Sequence, residues 1–102
     1  MSKRLEQLIS MLENSPNEAF ILFAIAKEYE KYDLDKEAFQ YYLQLIEIHP
    51  DYIGTYYHLG KLYEKNNQPD LALEIYQKGM ELSKNSDRHA YAELAASAED
   101  LI

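Results

Sequence analysis

The chain has 102 residues, with 10 Lys and Arg against 18 Asp and Glu, a formal net charge of −8, no Cys and three Gly. That length holds one ordinary domain. The acidic balance argues against sequence-independent binding to nucleic-acid phosphates and discourages contact with anionic membranes. The absence of Cys excludes a disulfide, a Cys-based zinc site and a thiol nucleophile. No apolar run approaches the roughly 18 residues that span a bilayer, and the segment from Met1 to Glu6 turns amphipathic at once without a signal-peptide core. A soluble, cytoplasmic protein is the expectation.

Apolar spacing predicts six helices in chain order. The first covers about Lys3 to Glu13, with Leu5, Leu8, Ile9 and Leu12 on one stripe. Asn14-Ser15-Pro16 ends it, and Ser15, Pro16 and Glu18 have the pattern of a capping box with Pro at the first helical position. The second helix then runs from about Pro16 to Lys31 around Leu22, Ile25, Ala26 and Tyr29. Asp33-Leu34-Asp35 breaks the pattern and can cap a third helix, to about Ile48, that carries Ala38, Tyr42, Leu45 and Ile46. His49-Pro50 starts a fourth, to about Lys65. The Asn66-Asn67-Gln68-Pro69 turn starts a fifth, to about Lys84, with Ala72, Ile75, Tyr76 and Met80 inward. Asp87 opens a sixth, to about Leu101, with Tyr91, Leu94, Ala95, Ala98 and Leu101 on its stripe.

The chain repeats itself at an offset of 34 residues. Leu22-x2-Ile25-Ala26-x2-Tyr29 returns as Tyr56-x2-Leu59-Gly60-x2-Tyr63, Ala38-x3-Tyr42 as Ala72-x3-Tyr76, and Pro16 as Pro50. Lys27/Lys61, Glu30/Glu64, Lys31/Lys65 and Glu47/Glu81 are identical at the same offset. Small residues at Ala26, Gly60, Ala38 and Ala72 let the two helices of a pair approach, while the Tyr residues fill the space around them. This period and these residue types resemble the tetratricopeptide repeat. The resemblance implies an all-α fold: a right-handed superhelix of antiparallel helix pairs in a single domain. Residues 1–18 form a half-repeat helix, 19–52 and 53–86 the two repeats, and 87–102 a capping helix, in which Glu93-Leu94 stands where Leu59-Gly60 stood one repeat earlier.

The resemblance also implies a function class, the non-enzymatic scaffold or adaptor that binds a peptide or helix of a partner protein in a concave groove lined by the first helix of each pair. At about 100° per residue, Phe20, Phe23, Lys27, Glu30 and Lys31 occupy one arc of the second helix beside its core stripe. The counterparts on the fourth helix are Gly54, Tyr57, Lys61, Glu64 and Lys65, with His58 beside them and Arg88 at the start of the sixth helix. Aromatic side chains supply desolvated contact area and lysines supply steering, so an apolar ligand segment with acidic character is one expectation. A plainly solvated lysine face, each Lys paired with a Glu one turn away, is the other. A second copy of the chain is the alternative partner, with Phe20 and Phe23 as its contacts. One subclass of the family grips the C-terminal carboxylate of chaperone tails with Lys, Asn and Arg. Here Phe23 stands where that set has Lys, Lys27 and His58 stand where it has Asn, and Arg88 is the only match, so that mode is not expected.

No catalytic, cofactor or metal site is expected. His49, His58 and His89 are scattered, and no glycine-rich phosphate loop or nucleophile elbow is present. The Asp33-x-Asp35 pair lacks the Gly and distal Glu of a calcium loop. Ten Tyr are packing residues in such repeats, and with the acidic charge they do not read as a nucleic-acid stacking platform.

Overall fold

The computed structural model describes residues 2–102. Their regular structure consists of six helices: α1 (Lys3–Asn14), α2 (Ala19–Lys31), α3 (Asp35–Ile48), α4 (Gly54–Lys65), α5 (Pro69–Ser83) and α6 (Arg88–Glu99). They fall into two compact units that meet in sequence at Tyr52/Ile53. In the first unit α2 packs on α3 and on α1; in the second α5 packs on both α4 and α6.

In the first unit the core is Leu5 and Leu8 of α1, Ile21, Leu22, Ile25, Ala26 and Tyr29 of α2, and Ala38, Tyr42 and Leu45 of α3. In the second it is Tyr56, Leu59 and Leu62 of α4, Ala72, Ile75 and Tyr76 of α5, and Leu94 and Ala98 of α6. Ile9, Leu12, Ile46, Tyr63, Met80, Ala95 and Leu101 are half-buried, at the edges of the predicted stripes. Tyr91, placed on the α6 stripe by spacing, is instead exposed at 37%. Two glycines set how closely the second unit packs. A Cβ at Gly60 would lie 2.2 Å from Cε1 of Tyr76, and one at Gly79 would lie 2.7 Å from Cβ of Tyr56 and 2.8 Å from Cδ1 of Leu94. Hydrogen at these positions is therefore what lets α5 reach both of its neighbours. Gly79 replaces a residue whose counterpart, Leu45, is a fully buried side chain.

Two helix starts differ from the sequence expectation. Ser15 caps the C-terminus of α1, its N–H reaching the carbonyls of Met11 and Leu12, and does not cap α2, which begins at Ala19. Ser15 to Glu18 form a turn closed by Glu18 N–H to Ser15 O at 3.1 Å, and His49 to Tyr52 form the equivalent turn at 3.0 Å before α4 begins at Gly54. Each Pro therefore sits at the second turn position, where its fixed φ suits the bend as well as it suits a helix start. Sequence pattern alone does not separate the two roles. Pro69, by contrast, does occupy the first turn of α5.

The tight turns inside the hairpins are closed by a repeated motif. Asp33 (φ 59°) and Asn67 (φ 61°) adopt the left-handed conformation. Leu34 N–H reaches Tyr29 O and Asp33 N–H reaches Glu30 O; Gln68 and Asn67 do the same to Tyr63 and Glu64. These are Schellman closures, which satisfy the last carbonyls of α2 and α4 and accept Asp or Asn when Gly is absent. Asp33 thus ends α2 and does not cap α3, whose N-cap position is held by Leu34 without a side-chain bond. Side-chain caps are made by Ser2, to Leu5 N–H at 2.9 Å, and by Asp87, to Ala90 N–H at 3.0 Å.

Candidate functional site

The face of α2 beside its core stripe borders a hollow of ≈560 Å³. Phe20, Phe23, Lys27, Glu30 and Lys31, the α2 residues singled out by the 100° arc, all line it, together with Ala24, Glu28 and, from α1, Arg4. Phe20 stands at 58% exposure. Phe23 is held by its neighbours: its ring lies edge-on to Tyr42 at 6.2 Å and tilted against Tyr52 at 5.5 Å between centroids.

The two carboxylates at the hollow are engaged within the fold. Glu30 accepts the hydroxyl of Tyr42, a fully buried side chain on α3. Burial first, and this bond to a carboxylate second, push the Tyr42 phenol far above its ordinary pKa of 10.0. Glu28 is almost completely buried, with Oε2 3.5 Å from Arg4 Nε and Oε1 3.8 Å from Lys31 Nζ; the Arg4 and Lys31 side chains remain 65% and 67% exposed. Its Oε2 receives no hydrogen bond, so the pairing with Arg4 is one of charge. An ion buried this deeply persists only when paired.

On α4 the repeat-equivalent residues pack against one another. Lys61 Nζ lies 5.4 Å from the Tyr57 ring centroid and 5.7 Å from that of Tyr76, and 3.6 Å from the Glu64 carboxylate. Glu64 accepts the buried Tyr76 hydroxyl, as Glu30 does that of Tyr42. The Tyr76 phenol is likewise raised, by burial and then by that bond. His58 packs edge-on against Tyr57 at 5.3 Å. Lys65 and Arg88 are exposed at the end of α4 and the start of α6. Glu30 and Glu64, named from the sequence as groove residues, are thus also the acceptors that satisfy buried phenols.

Sequence reasoning missed Arg4 and Glu28. Arg4 lies on a different helix and has no local signal. Glu28 does have one, because its repeat counterpart is Leu62, which is buried at 1% exposure. A charged residue aligned with a core leucine marks a position that packing alone does not explain. Among the described residues no His, Asp and Glu cluster could hold a metal ion, and no helix is long and apolar enough to cross a membrane.

A family profile described as tetratricopeptide repeat matches residues 41–74. Tetratricopeptide repeat protein 37 of Xenopus laevis is 31% identical over 102 residues, a match that takes in 97% of this chain but spans only 6% of that protein's length. The tetratricopeptide repeat domain protein of Salinibacter ruber, known from a crystal structure, is 35% identical with a TM-score of 0.78, covering 82% of this chain and 94% of that one. A Bordetella parapertussis protein at 20% identity shares the fold, with a TM-score of 0.83 over 99% of this chain and 89% of that one. With the 34-residue period, the paired helices and the buried small and tyrosine positions, these relationships establish that the chain belongs to the tetratricopeptide repeat family.

Proposed function

We propose that this protein is a non-enzymatic adaptor that holds a peptide or helical segment of a partner protein against the exposed face of α2. Tetratricopeptide repeat proteins generally act as protein-interaction scaffolds. The observation that carries the reading is the hollow of ≈560 Å³ that joins an exposed Phe20 and a braced Phe23 to Lys27, Lys31 and Arg4. That volume lies within the range of ligand sites, about 300–1,000 Å³. An aromatic pair rimmed by polar groups also has the composition of a binding hot spot. Tyr57, His58, Lys61, Glu64 and Lys65 on α4, with Arg88 on α6, form the second set of candidate contacts.

The test is a selection of displayed random peptides on the whole chain, followed by resonance mapping of a selected peptide onto the labelled protein. Shifts centred on Phe20, Phe23, Lys27 and Lys31, and loss of binding in Phe20→Ala with the melting temperature unchanged, are expected. Shifts confined to other surfaces would overturn the reading. A second copy of the chain is the rival occupant, motivated by the exposure of Phe20 at 58% and Met11 at 47%. Light scattering across a concentration range separates the two: a mass that doubles with concentration and returns to monomer in Phe20→Ala favours self-association.

A further inference from the structure

We infer that the α2 hollow selects a segment in which an apolar side chain is flanked by Asp or Glu, so that the partner is an acidic peptide and not a neutral or basic one. This inference rests on the adaptor reading above and narrows the chemistry of its ligand. The chain as a whole carries a charge of −8, yet the hollow is bordered by three cations, Arg4, Lys27 and Lys31, against two carboxylates, Glu28 and Glu30. The carboxylates are engaged within the fold. Glu28 has a side chain only 4% exposed between Arg4 and Lys31, and Glu30 is taken by the Tyr42 hydroxyl. Among the cations, Arg4 and Lys31 face outward at 65% and 67% exposure, and Lys27 is half-buried. An arriving segment therefore meets positive charge at the rim and aromatic surface inside it.

Glu28 stands at a position where the second unit has an apolar residue. Its repeat counterpart, Leu62, is a fully buried core side chain, so a leucine would satisfy packing there. A carboxylate in its place pairs with one guanidinium from α1 and one ammonium from α2, both of which line the hollow. Cations held in position lose less freedom on meeting a ligand carboxylate than freely rotating ones. Phe20 and Phe23 then reward an apolar neighbour, which a bare polyanion lacks.

The experiment uses the full chain and three labelled peptides: leucines flanked by Asp and Glu, the same peptide with Asn and Gln in place of the acids, and the same with Lys. Fluorescence anisotropy is read at low and at physiological salt. The expected order is acidic tightest, neutral about tenfold weaker, basic weakest, with the acidic preference shrinking as salt rises. Lys27→Glu should weaken the acidic peptide about tenfold and change the neutral one less than about twofold. Phe20→Ala should weaken both. Equal binding of the acidic and neutral peptides, both still sensitive to Phe20→Ala, would overturn the acidic preference while leaving the α2 site standing. Absence of binding by all three peptides, with no resonance shifts on α2, would overturn the site itself. Equal competition by a single-stranded oligonucleotide would overturn the peptide and identify a general polyanion surface.

Discussion

Gly60 gives the sharpest test of how the second unit is held together. An alanine there places Cβ 2.2 Å from Cε1 and 2.7 Å from Cδ1 and Cζ of Tyr76, against an ordinary carbon–carbon contact of about 3.5–4.0 Å. The ring must recede by more than about 1 Å. It has nowhere ready to go, because Tyr76 is fully buried and its hydroxyl is bonded to Glu64. Alanine favours the helix by about 1 kcal/mol over glycine. Overpacking opposes it by about 1–3 kcal/mol, and loss of a hydrogen bond to a charged acceptor adds about 1.5–3 kcal/mol if the ring moves away. Gly60→Ala is therefore expected to lose about 1–3 kcal/mol net, and Gly60→Leu more. Urea denaturation followed by far-UV circular dichroism reads the change. A cycle with Tyr76→Leu should show coupling of at least about 0.5 kcal/mol, since the smaller side chain removes the clash. The first unit sharpens the contrast: Ala26 is the repeat counterpart of Gly60 and is buried in the unit that also buries Tyr42. If Gly60→Ala matches or exceeds the parent in stability, α4 and α5 can adjust to an alanine there, and their close approach does not require glycine.

Four further outcomes follow from the same contacts. The raised Tyr42 and Tyr76 phenols mean that above about pH 10 the unfolded chain releases protons that the folded one keeps, so their contribution is intact below that pH and is lost as pH rises; alkaline melting curves should show each Tyr→Phe variant with a slope shallower by up to about 1.4 kcal/mol per pH unit. Asn67→Ala should cost about 1 kcal/mol by forcing a Cβ residue without a local side-chain bond into φ 61°, whereas Asn67→Gly should be neutral or stabilising in denaturant titration. Lys61→Glu should lower the melting temperature, because Lys61 is 3.6 Å from Glu64 and stands over two tyrosine rings; the expected cost is about 0.5–1.5 kcal/mol. Glu28→Leu should match or exceed the parent in stability, by up to about 1–4 kcal/mol, as replacement of a buried ion by a packed hydrophobe allows; calorimetry showing a marked loss would mean that Arg4 and Lys31 hold the first unit together through Glu28.

Most of the fold is legible in the sequence because the repeat compares each helix with a second copy of itself. Leu22, Ala26, Ala38 and Tyr42 and their counterparts 34 residues on are all buried, with Gly60 as the gap that Tyr76 fills. The helix starts at Ala19 and Gly54 were not legible, because Pro at a turn's second position and Pro at a helix's first position follow the same local pattern. The Schellman closures at Asp33 and Asn67 were hidden for a related reason: Asp and Asn serve as caps as readily as they accept positive φ.

The candidate site divides along the same line. Its α2 residues fall out of helical periodicity, a local property. The ion cluster around the buried Glu28 does not, because Arg4 and Glu28 meet across helices that periodicity treats separately. Only the repeat exposes it, by setting Glu28 opposite Leu62. The Tyr42–Glu30 and Tyr76–Glu64 bonds show the reverse case. There the repeat marks all four residues as identical pairs but cannot say that each tyrosine and glutamate meet. Identity at these four positions therefore marks a bond that each hairpin makes, and departure from the repeat marks where the two units differ. By that criterion Glu28, which draws Arg4 of α1 toward Lys31 of α2, marks a feature of the first unit that Leu62 denies the second.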